Sequence, residues 1–207
     1  MNQQKESIAV LDEAAFMRGK LHGKQSNLQK YANLVTGSES LFALFKYELI
    51  TAVFSGLPGA LGLVLRKRFY RKLFGSIGSN VVFGKGINIR CGNNIIIGDN
   101  VVIDDYCVLD GRGAAEEKII IGNNVVLNRG CTVQSKLGGL CIGDYSTIGA
   151  GSAIVAQGGV SIGKWVSIAG GCEVSGGLFE HRTTDNPDEA PFYRYTRGPV
   201  IIRTTRL

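Results

Sequence analysis

The chain has 207 residues, room for one well-buried core and an appended segment, and its 44% apolar content excludes a disordered glycine-rich polymer despite 29 glycines. The net charge of +6 lies entirely in residues 1–76, where 11 Lys and Arg face 5 Asp and Glu; residues 77–207 hold 12 of each. Five cysteines at 91, 107, 131, 141 and 172 form no Cys-x-x-Cys pair, which argues against a zinc site or a disulfide framework.

The first residues, MNQQKESIAVLDEAAF, carry charges where a secretory signal places its apolar centre, so a cytoplasmic location is expected. His22 lies in this polar arm and reads as a surface residue. From Ser38 or Ser40, SLFALFKYELITAVFSGL is expected to be helical, with apolar residues at 41, 42, 44, 45, 49, 50, 53 and 54 in a 3.6-residue period. A second apolar piece, ALGLVL, runs into RKRFYRK at 66–72. The uncharged run 49–65 spans 17 residues and is broken by Pro and Gly, so no transmembrane helix is expected. Two readings of residues 41–72 stand open. Either the helix packs on the body or a partner subunit with its basic cluster solvated, or it contacts an anionic membrane face.

At Ile77 a different pattern begins. Aliphatic or Phe residues recur every sixth position, at 77, 83, 89; 97, 103, 109; 121, 127, 133; 142, 148, 154; and 162, 168, 174, and glycine follows seven of the fifteen. Three hexads make one coil, and coil starts lie 20, 24, 21 and 20 residues apart. The expected architecture is a triangular parallel β-solenoid of about five coils, with glycine providing unusual dihedrals at the corners. Cys107, Cys131 and Cys172 share the fifth position of the second hexad with Ser152, which predicts a column of small interior side chains rather than nucleophiles. Cys107 and Cys131 then stand one coil apart, close enough to cross-link on oxidation. GGVSIGKW at 158–165 is a false P-loop, with Trp165 where a magnesium-binding hydroxyl belongs.

The tandem IGDNVVIDDYCV, IGNNVVLNRGCT, IGDYSTIGAGSA and IGKWVSIAGGCE resembles the hexapeptide repeat of left-handed β-helix acyltransferases over residues 77 to about 202. The resemblance implies an all-β, left-handed parallel β-helix at 77–207 with an inserted loop at about 179–199, behind an N-terminal helical, basic arm at 1–76. Its nearest pattern is the maltose, galactoside and surface-polysaccharide O-acetyltransferase branch, in which a coil is followed by a histidine, a polar loop and GPIxIG. Here His181 and the loop TTDNPDEAPFYRYTR precede GPVII, so the resemblance makes His181 the general base for acetyl transfer from acetyl-CoA to a sugar hydroxyl. A near-neutral imidazole suits that step. Asp185, Asp188, Glu189, Phe192, Tyr193 and Tyr195 are candidates for the acceptor wall, and the backbone of Gly170, Gly171, Gly176 and Gly177 for cofactor contacts. No metal is expected. An Asn that holds substrate in the galactoside-type enzymes is Gly149 here, and Asn128 reads as a corner residue. A homotrimer with sites between prisms is implied, together with a sugar or glycan acceptor and no nucleic-acid partner. The family continues with several coils after GPVII, so a C-terminally truncated copy is expected. A truncated or degenerate, non-catalytic solenoid acting as a structural or interaction protein is the rival reading. A γ-class carbonic anhydrase needs three histidine ligands, and the chain has two histidines.

Overall fold

A computed structural model describes residues 26–176 and 199–203. Residues 76–176 and 199–203 form the expected parallel β-solenoid, whose coils build three faces. The first face holds six strands in sequence order: β1 (Ser76–Ile77), β4 (Ile95–Ile97), β7 (Ile119–Ile121), β10 (Leu140–Ile142), β13 (Val160–Ile162) and β16 (Val200–Ile202). The second holds β2 (Val82–Phe83), β5 (Val102–Ile103), β8 (Val126–Leu127), β11 (Thr147–Ile148) and β14 (Ser167–Ile168). The third holds β3 (Asn88–Arg90), β6 (Val108–Asp110), β9 (Thr132–Ser135), β12 (Ala153–Ala156) and β15 (Glu173–Gly176).

All fifteen hexad leaders stack in register, for example Phe83 on Ile103, Ile103 on Leu127, Leu127 on Ile148 and Ile148 on Ile168. Ile202 adds a further member by pairing with Ile162. Side chains alternate across each strand, so registering the leaders puts every one of them inside. Phe83, Ile103, Leu127, Val133, Ile142 and Ile154 are accordingly fully buried.

Two corners of each coil pass through a residue with left-handed backbone dihedrals. At the fourth position of the first hexad these are Asn80, Asn100, Asn124, Tyr145 and Trp165, with φ between 52° and 59°. At the fourth position of the second hexad they are Gly86, Tyr106, Gly130, Gly151 and Gly171, with φ between 59° and 71°. Glycine and asparagine tolerate this region, whereas other L-residues lose roughly 1–2 kcal/mol there. The asparagines also form a ladder: Asn80 Nδ2 donates to Asn100 Oδ1 at 3.0 Å, and Asn100 Nδ2 donates to Asn124 Oδ1 at 3.3 Å. Above them Tyr145 and Trp165 stack face to face, with centroids 4.1 Å apart and planes within 3°.

The glycine after each first-hexad leader has another cause. Gly98, Gly122 and Gly143 have no positive φ, but a Cβ on any of them would strike the next coil; on Gly143 it would lie 2.6 Å from Gly163 C. Close coil approach, rather than backbone dihedral, selects glycine there.

The fifth-position column points inward as expected. Cys107, Cys131 and Ser152 are buried, and Cys172, in the last full coil, is partly exposed. Each polar atom that is buried finds a carbonyl: Cys107 Sγ donates to Asn128 O at 3.2 Å, Cys131 Sγ to Gly149 O at 3.1 Å, and Ser152 Oγ to Ala169 O at 2.9 Å. A hydrogen bond to Cys131, reinforced by burial, holds the Cys107 thiol above its ordinary range. No described cysteine is in a disulfide.

Three helices close the first coil: α1 (Asn27–Thr36), α2 (Leu41–Phe54) and α3 (Gly59–Phe69). Ser26 and Gln29 form a reciprocal capping box that starts α1, and Gly37 at φ 75° ends it. Ser40 Oγ, one of the two expected caps, accepts from Ala43 N at the start of α2. The first coil's edge is then satisfied by the arm, with Cys91 N donating to Val35 O and Gly86 N to Ser55 O. Tyr70, Leu73 and Phe74 seal the core beneath Phe83.

One member of the basic run is not solvated. Arg66 is 2% exposed, and its guanidinium donates to Phe83 O, Phe54 O and Leu57 O at 2.9, 3.2 and 2.7 Å. Phe54 ends α2 and Leu57 follows it, so Arg66 satisfies carbonyls left over at a helix C-terminus and ties them to the first coil.

The two glycine mechanisms are separable by thermal unfolding. Gly151 is in the left-handed region with open space around its Cβ position, so Gly151→Ala is expected to cost about 1 kcal/mol and Gly151→Asn distinctly less. Gly143→Ala and Gly143→Asn are both expected to destabilise by more than that, because each places a Cβ against backbone. Equal rescue by asparagine at both positions would overturn the distinction.

Candidate functional site

The third corner of each coil, between the third face and the first, is where the coils differ. The connections there are 91–94, 111–118, 136–139 and 157–159, and then the long interruption 177–199. All length variation therefore falls on one edge of the prism. Solenoids of this kind carry their binding loops on such an edge, because insertions there leave the stacked faces undisturbed.

The ends of the interruption are fixed by backbone bonds. Gly176 O accepts from Gln157 N and Gly158 N at 2.8 and 2.7 Å, and Val200 N donates to Gly159 O at 3.1 Å. A Cβ on Gly159 would sit 3.3 Å from Pro199 Cβ. The departing and returning chain thus meet at the Gly158–Gly159 turn.

At this turn lies an open groove of about 510 Å³, running across the outer side of the first face. Its floor is the outward row Ile120, Cys141, Ser161 and Ile201, beside which the backbone of Leu140 and Val160 also lines it, and Gly139, Gly159 and Pro199 lie at its edge. Polar groups are few: Cys141, Ser161, Glu117 and Lys118. Glu117 Oε2 accepts from Gly139 N at 2.7 Å, and Lys118 Nζ donates to Asn94 Oδ1 at 3.0 Å, so both charged side chains brace the loop edge. Further along that edge Arg112 pairs with Asp110 at 2.6 Å, and Gln134 Nε2 donates to Asp110 Oδ2 at 3.3 Å. The groove thus offers exposed apolar side chains with few polar groups, the form of a small-molecule site.

Burial, with a smaller contribution from Asp144, raises the Cys141 thiol above its ordinary range, which disfavours the thiolate a nucleophile requires. Among the described residues no group of three or more His, Cys, Asp or Glu side chains could hold a metal ion.

His181, Asp185, Asp188, Glu189, Phe192, Tyr193, Tyr195 and Gly177 lie outside the described residues, as does His22. The remaining cofactor candidates are divided by the fold. Gly176 belongs to the loop edge beside the groove, whereas Gly170 and Gly171 occupy the corner between the second and third faces. The Gly171 N–H donates to Ala150 O at 2.9 Å and is engaged in coil stacking. Gly149 also serves the stack through Gly149 N to Ile168 O at 2.8 Å. Asn128 spends Nδ2 on Ile148 O at 2.8 Å.

Sequence reasoning did not identify the groove. Its floor comes from columns about 20 residues apart on an outward face, where Ile120 and Ile201 look like ordinary strand residues. The available signal was that every excess residue in the coil intervals follows a third hexad.

No family model matches the chain, and no curated protein does. Among solved structures it is similar to a galactoside acetyltransferase in complex with coenzyme A, with 16% identity, 74% of this chain and 80% of that chain covered, and a TM-score of 0.38. A likeness of this degree carries no inference about chemistry.

The site makes a prediction about thiols. Under native conditions Cys141 and Cys172, which are partly exposed, are expected to react with an alkylating reagent before Cys91, Cys107 and Cys131, and all five to react in denaturant. Because the Cys141 thiol is raised, its rate should still be climbing above pH 9. Peptide mapping by mass spectrometry reads both; early labelling of Cys107 or Cys131 would contradict the interior column.

Proposed function

We propose that the protein is an acyltransferase that moves an acetyl group from acetyl-CoA to a hydroxyl of a sugar or surface-polysaccharide precursor. The observation that carries the reading is positional: the one long interruption of the solenoid, which contains His181, is pinned at both ends beside the groove. The hexapeptide pattern and the polar, aromatic composition of the interruption support it.

The chemistry follows from the groups available. An acceptor hydroxyl attacks the thioester carbonyl, and a C–O bond forms while the hydroxyl proton passes to the His181 imidazole. The tetrahedral intermediate then breaks its C–S bond, and the leaving thiolate takes the proton back from the imidazolium. Imidazole has an unperturbed pKa of about 6.5, which lets it play both parts near neutrality. No covalent enzyme intermediate is needed, in agreement with an interior column at Cys107 and Cys131 and with a Cys141 thiol raised above its ordinary range.

In this reading the pantetheine arm of acetyl-CoA lies along the Ile120–Ser161–Ile201 trough, whose glycine rims bring backbone close to a ligand's amides. Asp185, Asp188 and Glu189 offer acceptors to sugar hydroxyls, and Phe192, Tyr193 and Tyr195 offer ring faces. A homotrimer belongs to the same proposal: Ile120 and Ile201 are exposed on the outer side of the first face and would be covered by a neighbouring prism, which would then wall the groove.

Calorimetric titration with acetyl-CoA, paired with a thiol-release assay on a panel of sugars, tests the reading. Binding is expected for the unaltered chain, weakened by Ile120→Trp, which fills the trough. His181→Ala is expected to leave acetyl-CoA affinity within a few-fold and to lower turnover by roughly 10²–10⁴-fold. Absence of acetyl-CoA binding would leave the rival, a non-catalytic solenoid. Turnover indifferent to the substitution would remove His181 as the base.

A further inference from the structure

Helix α2 has two apolar faces. Leu44, Tyr47, Ile50 and Phe54 turn toward the body of the protein. On the other side Phe42, Phe45, Leu49 and Val53 follow one another at helical spacing and stay open to solvent, Phe42 at 76% and Phe45 at 64%. Single exposed apolar residues are ordinary, but a contiguous stripe of four, two of them aromatic, marks a contact surface.

The stripe borders a groove of about 400 Å³ between α2 and the end of α3, lined by Phe42, Leu49, Val53 and Phe69 and by two lysines, Lys46 and Lys72. The Lys72 ammonium lies 5.6 Å from the Phe69 ring centroid. Lys67, Arg68 and Arg71 are exposed in the same segment. Residues 38–75 contain only two acids, Glu39 and Glu48, and Glu48 already accepts from Tyr31 OH at 2.9 Å. No described helix is long and apolar enough to cross a membrane. An apolar stripe edged by cations forms a surface whose apolar part can enter the headgroup–acyl boundary while its lysines meet anionic headgroups.

We propose that this face docks the protein on an anionic phospholipid bilayer, with Phe42, Phe45, Leu49 and Val53 at the headgroup–acyl boundary and Lys46 and Lys72 on lipid phosphates. Charge complementarity selects this occupant over a second copy of the chain. A copy laid symmetrically on the stripe would set the groove lysines against their own counterparts, with Glu48 already engaged, whereas anionic headgroups supply the missing charge. The proposal goes beyond acyl transfer and does not depend on it.

Cosedimentation of the full chain with phosphatidylcholine vesicles, with and without phosphatidylglycerol, tests it. Binding is expected to the mixed vesicles and to fall as salt is raised, with little binding to phosphatidylcholine alone. Lys46→Glu with Lys72→Glu is expected to reduce binding to the mixed vesicles by tenfold or more. Phe42→Ser with Phe45→Ser and Leu49→Ser should reduce it by at least as much. The lysine pair keeps the test decisive if the serine variant folds poorly, and thermal unfolding checks both. No sedimentation with either vesicle, or equal sedimentation with both, would overturn the proposal. So would a serine variant that binds vesicles normally but changes mass in analytical ultracentrifugation, which would assign the stripe to self-association.

Discussion

Each coil turns at two of its corners through a residue held at positive φ, and the rest of the molecule depends on those turns. Ten such positions, from Asn80 to Gly171, keep the circumference constant from coil to coil. Only with a constant circumference do the fifteen leaders stack in register, and only in register do the strands of neighbouring coils exchange their backbone hydrogen bonds. The interior follows from the same regularity. Cys107, Cys131 and Ser152 repeat at one level of each coil and donate to carbonyls of the coil above, so modest polarity costs the core little. The third corner carries no such requirement, which is why every insertion and the groove are found there.

What was legible in the sequence was whatever repeats. A six-residue period of Ile, Leu, Val and Phe survives inspection because each member faces the same interior, and the coil count and inward cysteine column follow from it. Helix α1 escaped notice, since SNLQ sits in a polar stretch with few apolar positions, although Ser26 and Gln29 are a capping box once sought. Arg66 is indistinguishable in sequence from its basic neighbours, because charge alone does not reveal which cation meets the carbonyls at a helix end. Glycine in a repeat suggests corner dihedrals, yet Gly143 is excluded from bearing a side chain by Gly163 in the next coil. The groove was invisible for a related reason: its wall is assembled from separate coils, and no local window of sequence contains it.

Helices α2 and α3 and the chain ends at Gly176 and Pro199 lie at opposite ends of the prism. Helices α2 and α3 close the first coil, through Arg66 on Phe83 and Tyr47 on Ile89, whereas the interruption departs from the fifth. Four coil spacings separate them, on the order of 20 Å at the distance between paired strands. The exposed face of α2 therefore stands well clear of the loop edge. Between the two ends the three faces run as unbroken in-register stacks of strands.

The stacked pair Tyr145 and Trp165 gives the molecule a built-in optical gauge. Trp165 is the single tryptophan of the chain, and its indole lies flat on a ring contributed by the preceding coil. Solenoids are stabilised by nearest-neighbour contacts and open most readily from their ends. Intrinsic indole emission thus reports on the seating of the fifth coil upon the fourth, while far-ultraviolet ellipticity at helical wavelengths reports on the arm at the other end, and one chain, unlabelled, records the loosening of each end separately.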